Sequence, residues 1–206
     1  DELFMWVESL KGLPVVLKVG LRLLPRLKED DFSRIHDLGF KIFVDAKLHD
    51  IPSQVAGAVS TWAQLGADYL TVHLSGGAPM LSDAAKAAQG SKTELLGVSV
   101  LTSLGASELE ALGWNADAAA LVKRWVRMGL SSGIRSFVCS AGESRAIHEL
   151  ARSEFPNVRV RTVCPGIRLP HQKASPDQAR VFTVEEGIEN EVDMFVIGRA
   201  IFQDAN

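Results

Sequence analysis

Residues 42–66 read Ile42-Phe43-Val44-Asp45-Ala46-Lys47-Leu48-His49-Asp50-Ile51-Pro52-Ser53-Gln54-Val55-Ala56-Gly57-Ala58-Val59-Ser60-Thr61-Trp62-Ala63-Gln64-Leu65-Gly66. The stretch opens with three consecutive apolar residues. A strand apolar on successive positions is covered on both faces, as in a parallel sheet flanked by helices. Pro52 suits the first turn of the helix that follows, where its missing N–H costs nothing, and Gly66 stands where a left-handed C-cap ends it. Gly39 is placed to close the preceding helix in the same way.

The pattern recurs on either side. Apolar or β-branched runs begin at Val15, Ile42, Tyr69 and Leu95, spaced 26 or 27 residues apart, and continue at Phe137–Cys139, Val158–Val163 and Met194–Ile197. Seven strands are expected, at Val15–Val19, Ile42–Val44, Tyr69–Val72, Leu95–Val100 and the last three runs. The segment from Ala106 to Gly133 is expected to hold two helices. The class is α/β. No Gly-x-Gly-x-x-Gly turn marks an open dinucleotide-binding sheet, and a closed (β/α)8 barrel needs one strand more than is counted. No linker or low-complexity tract interrupts residues 1–206, so a single domain is expected.

Composition narrows the partners. At 47% hydrophobic residues the chain can bury a core, and with a net charge of −3 and scattered basic residues it offers no field for nucleic acid. Lys18 and Arg22 interrupt the longest apolar run, well short of the ~18 residues that cross a bilayer, so a membrane is not expected. Two cysteines, Cys139 and Cys164, are too few for a disulfide framework or a four-ligand metal site and suggest the cytoplasm. Both are expected to be buried strand residues.

Reactive groups in parallel α/β folds gather where strands end. Lys18 lies near the end of the first run; Asp45, Lys47 and Asp50 follow the second; His73 follows the third. Asp45 and Lys47 are two apart and are expected on one side of the strand. Together with Lys18 and Asp50 they form an alternating row of ammonium and carboxylate groups. Burying such a row is costly unless each charge is paired. A network that merely positions loops is one reading, and a metal site using Asp45 and Asp50 another, although both lysines would repel the cation. His49 and His73 are read as structural donors. Trp6, Trp62, Trp114 and Trp125 are read as helical residues packed on the sheet.

Asp45-Ala46-Lys47-Leu48-His49-Asp50-Ile51-Pro52, preceded by Lys18-Val19-Gly20, resembles the orotidine 5′-monophosphate decarboxylase family, whose signature is Asp-x-Lys-x-x-Asp-Ile-Pro on a (β/α)8 barrel. Val72–Gly77, Val100–Ser103, Pro165–Arg168, Asp177–Val181 and Ile197–Ile201 follow in family order. The resemblance implies a barrel cut at both ends, with Asp1–Leu10 as the helix after an absent first strand and a last helix missing beyond Asn206. It implies decarboxylation of a nucleotide, orotidine monophosphate, to UMP without metal or organic cofactor. Lys47 would stabilise and protonate the C6 carbanion, helped by Asp45 and Asp50, while Lys18 would bond the ribose. The substrate would also be held by Ile51, Pro52, Ser53, Gln54, Thr102 and Ser103. Pro165, Arg168, Gln178, Gly198 and Arg199 would serve the phosphate end. The resemblance further implies a homodimer in which Asp50 reaches the partner's site. The rivals are a metal-dependent sugar-phosphate decarboxylase with the same Asp-x-Lys-x-x-Asp motif and a silent phosphometabolite-binding barrel.

Overall fold

The alternation of buried strands and amphipathic helices appears as expected in the computed structural model, which describes residues 2–114, 117–167 and 182–198. The chain divides into two units, Asp1–Leu95 and Leu96–Asn206. The first contains α1 (Glu2–Ser9), β1 (Val16–Gly20), α2 (Glu29–Asp37), β2 (Lys41–Leu48), α3 (Pro52–Gln64), β3 (Tyr69–His73) and α4 (Gly77–Ala87). β1 runs parallel to β2, and β2 to β3. Ile42, Phe43 and Val44 are all buried, which is why β2 reads as a continuous apolar run. Leu70 and Val72 from β3, with Val55 and Val59 from α3, share this core.

Both expected glycine stops are present. Gly39 and Gly66 each have φ 88, where a Cβ would collide with the following carbonyl. At Gly66 the chain closes with two reversed hydrogen bonds, from its own N–H to Ala63 O (3.1 Å) and from Ala67 N–H to Trp62 O (3.0 Å). The same pair of bonds closes α2 at Gly39 and Phe40.

β4 (Glu94–Val98) carries the boundary between the units. The second unit contains α5 (Ala106–Ala111), α6 (Ala118–Ser131), β5 (Ser136–Val138), α7 (Ala141–Glu154), β6 (Arg161–Cys164), α8 (Val184–Glu189) and β7 (Met194–Phe195). The residues from Leu96 onward pair in parallel with β5, β5 with β6, and β6 with β7. Phe137, Ile147 and Val163 are wholly buried between strands and helices of this unit. Asp117 caps α6 by accepting the Ala119 N–H at 2.8 Å.

The two units repeat one anchoring device. Asp68, just before β3, accepts the Ile42 N–H of β2 at 2.8 Å and pairs with His36 of α2 at 3.0 Å. Asp193, just before β7, accepts the Thr162 N–H of β6 at 2.7 Å and pairs with His148 of α7 at 3.2 Å. Each aspartate therefore ties the start of one strand to the strand before it and to the helix that precedes that earlier strand.

Two expectations need correction. The sixth strand begins at Arg161, not Val158, because the Val158 N–H is taken by Phe155 O in a turn at 2.9 Å. Trp114 is not helical: it follows α5, donating its N–H back to Leu109 O at 2.9 Å, and its ring meets Trp125 edge-on with centroids 4.9 Å apart. Among the described residues no helix is long and apolar enough to cross a membrane.

Candidate active site

The charged row lies where β1 and β2 end. Lys18 sits on β1 opposite Phe43 of β2, and its ammonium is 2.5 Å from Asp45 Oδ2. Lys47 Nζ is 2.7 Å from Asp45 Oδ1. Asp45 is 6% exposed, so its charge survives only through these partners. Burial alone would push its carboxyl up, but the charge and hydrogen bond of Lys18, joined by those of Lys47, outweigh it and hold the group below the usual carboxylate range.

Asp45 and Lys47 share a side as expected, but regular strand alternation is not the reason. The ladder pairs Val44 with Leu70 and then Leu48 with Val72, leaving Asp45, Ala46 and Lys47 opposite Thr71 alone. β2 is irregular there, and Lys47 has φ 49, a left-handed conformation costing about 1–2 kcal/mol for a residue with a side chain. Non-glycine residues in such conformations concentrate at functional sites.

Thr71 was not among the residues singled out from the sequence. It is wholly buried, accepts the Lys47 N–H at 2.8 Å, and donates to Asp45 Oδ1 at 3.2 Å. Its signal was its position: a polar residue in an otherwise buried strand, in alternation with Tyr69 and His73.

Asp50 does not join the row within this chain. Its Oδ1 accepts the Ile51 N–H at 2.6 Å, and among the described residues it enters no ion pair. The expected alternation of two ammonium and two carboxylate groups is therefore corrected to Lys18, Asp45 and Lys47, with two positive charges on one carboxylate. Asp50 instead ends the turn into α3, where Ile51 is 61% exposed, Ser53 and Gln54 are exposed, and Pro52 is half-buried.

The histidines stack beside this row, His49 and His73 with ring centroids 5.4 Å apart. His73 is pushed down to about 4, chiefly by burial and then by the charges of His49 and Lys47, with Asp45 opposing. At neutral pH His73 is uncharged.

In the second unit Thr102 and Ser103 lie in a turn closed by Leu104 N–H to Leu101 O at 3.0 Å. Pro165 leaves β6, and Gly166 follows with φ 82. Gly198 is exposed after β7. Arg168, Gln178 and Arg199 lie outside the described residues. Cys139 and Cys164 are buried, with sulfurs 3.6 Å apart, beyond disulfide bonding distance. No group of three or more metal-ligating side chains stands together among the described residues.

Comparison with known proteins shows the family of the chain. A family model described as "Orotidine 5'-phosphate decarboxylase / HUMPS family" matches residues 1–206. A protein of Idiomarina loihiensis named orotidine 5'-phosphate decarboxylase is 41% identical over 203 residues, 97% of this chain and 85% of its own. One of the same name from Opitutus terrae is 39% identical, over 96% of this chain and 84% of its own. The crystal structure of orotidine 5'-phosphate decarboxylase from Lactobacillus acidophilus is similar with a TM-score of 0.80 and 29% identity, covering 100% of this chain and 88% of that one. An uncharacterized conserved protein from Geobacillus kaustophilus matches with the same TM-score and coverage at 26% identity. The fold class is the (β/α)8 barrel expected from the sequence. With a family match along its whole length and relatives at this level of identity, the chain belongs to the orotidine 5'-phosphate decarboxylase / HUMPS family.

Proposed function

We propose that this chain decarboxylates orotidine 5′-monophosphate to UMP. The observation that carries the reading is the grip of Lys18 and Lys47 on the buried Asp45, in the Asp45-x-Lys47-x-x-Asp50-Ile51-Pro52 context of a chain whose curated relatives bear that enzyme's name. In the reaction the bond from C6 to the carboxylate carbon breaks, CO2 leaves, and the electron pair stays on C6 in the ring plane. No neighbouring carbonyl can delocalise it, so fixed charge must stabilise it. Lys47 supplies that charge and delivers a proton to C6, then regains one from solvent. Within the chain the row is net positive, which suits a substrate carrying both carboxylate and phosphate. The neutrality of His73 at neutral pH is consistent with Lys47 as the proton source. Lys18 meets the ribose.

The remaining substrate contacts follow sequence position: Ile51 to Gln54, Thr102, Ser103, Pro165, Arg168, Gln178, Gly198 and Arg199. We take residues 1–206 as one catalytic domain. Asp50, in no ion pair among the described residues and beside the exposed Ile51, supports a homodimer in which it completes the partner's row. A count of two cysteines, too few for a disulfide framework, favours a cytoplasmic setting.

The test follows the ultraviolet absorbance of orotidine 5′-monophosphate mixed with the protein. Turnover is expected, and a chelator should leave the rate unchanged. No turnover, or turnover lost on chelation and regained with Mg²⁺, would sink the proposal and favour a metal-dependent sugar-phosphate enzyme.

A further inference from the structure

Three residues of β2 face one residue of β3, and that residue is Thr71. A bulge of this kind takes backbone groups out of the ladder and turns side chains away from the strand's alternation. Something must replace the lost bonds. The Thr71 hydroxyl does so on both sides of Lys47, because a hydroxyl can accept and donate at once. It accepts the Lys47 N–H at 2.8 Å, and it donates at 3.2 Å to Asp45 Oδ1, the oxygen that also takes the Lys47 ammonium at 2.7 Å. One buried side chain thus fastens the backbone of Lys47 directly and its ammonium through the shared carboxylate oxygen.

The geometry points to Thr71 as a positioning residue that holds Lys47 in its left-handed conformation and aims its ammonium at the reacting carbon. The aim at carbon rests on the decarboxylase reading above; the hold on Lys47 does not. Thr71 touches no reacting atom, so its loss should leave substrate affinity largely intact and lower the rate of the step that Lys47 performs.

Thr71→Val keeps the shape without the hydroxyl, while Thr71→Ser and Thr71→Ala differ from each other by the hydroxyl alone. For each variant and the wild type, kcat, KM and melting temperature are measured, together with the rate at which acetic anhydride acetylates Lys47 at fixed pH, read by mass spectrometry of its peptide. The Val and Ala variants should lose at least tenfold in kcat with KM within twofold, whereas Ser stays within threefold of wild type. Lys47 should acetylate at least threefold faster in Val and Ala, with Ser and all other lysines unchanged. Wild-type kcat in the Val and Ala variants, or equal losses in Ser and Ala, would overturn the assignment. If Val does not fold, the Ser and Ala pair carries the comparison. If the wild type itself does not decarboxylate, the reaction reading fails, and the acetylation rates still decide whether Thr71 holds Lys47.

Discussion

Asp45 takes three donors on two oxygens: Lys18 on Oδ2, and Lys47 and Thr71 on Oδ1. With two ammonium groups on one carboxylate, the excess positive charge of the row is available to a ligand. Lys47 is the group the proposed chemistry depends on, and its role lies where charge develops, not in the ground state. Lys47→Ala should therefore lower kcat by at least about a thousandfold, the upper range for losing one preorganised electrostatic group, while substrate analogues still bind. A raised KM at wild-type kcat would move Lys47 to substrate binding. His73 makes a separate, pH-dependent prediction. Its folded-state value is depressed to about 4 from the ordinary 6.5, so between these limits the unfolded chain binds a proton that the folded chain refuses. Stability contributed by His73 should be intact above about pH 6.5, fall as pH drops toward 4, and change no further below that. Melting temperatures from pH 7 to 4 should drop less steeply for His73→Asn than for wild type, and parallel curves would show that His73 titrates normally.

At the scale of the element, α3 and the turn that ends it hold two glycines that look alike in sequence and differ in conformation. Gly57 lies in the helix interior, and a Cβ there meets nothing within 4 Å. Gly57→Ala should stabilise by about 0.5–1 kcal/mol, because alanine loses less backbone entropy on entering a helix. Gly66, beyond the C-terminus, has φ 88, and its Cβ would come within 3.0 Å of His36 Cε1. Gly66→Ala should cost about 1–2 kcal/mol from the left-handed conformation, with added strain at the ring that pairs with Asp68. Denaturant titration of both variants separates the cases, and equal effects would contradict the assigned backbone conformations. The β2 irregularity belongs to this scale as well, since it places Lys47 at the mouth of the strand beside Asp45 in a way an unbroken ladder would not.

For the whole molecule the open question is where Asp50 acts. It accepts the adjacent Ile51 N–H but pairs with neither Lys18 nor Lys47 of its own chain, and the helix it precedes begins beside exposed residues. If Asp50 completes a partner's row, Lys47→Ala and Asp50→Ala proteins should each be inactive, yet mixing them should restore activity. In a mixed dimer one site receives both a native Lys47 and a native Asp50. Differently tagged subunits would verify that mixed dimers form, and their formation without activity would place Asp50 outside the partner's site.

The sequence alone determined the class of fold and the position of the charged row along the chain. Consecutive apolar residues such as Ile42–Val44 signal strands covered on both faces, and Gly39 and Gly66 mark helix ends, because these are local rules of burial and backbone sterics. The family resemblance was legible too, since Asp45, Lys47, Asp50 and Pro52 lie in one short stretch. What needed the tertiary structure was any feature set by register between strands. Parity along β2 predicted that Asp45 and Lys47 share a side, but whether they do so on a regular strand or across a bulge depends on how many residues of β3 they oppose. Asp50 looked equivalent to Asp45 by spacing, and only the turn into α3 separates it from the lysines. Thr71 could not be singled out because a buried threonine in a strand is ordinary until its hydroxyl is seen facing an unpaired N–H from 24 residues away. Hydrophobic pattern is a property of the chain; hydrogen-bond partnership across strands exists only once the chain has folded.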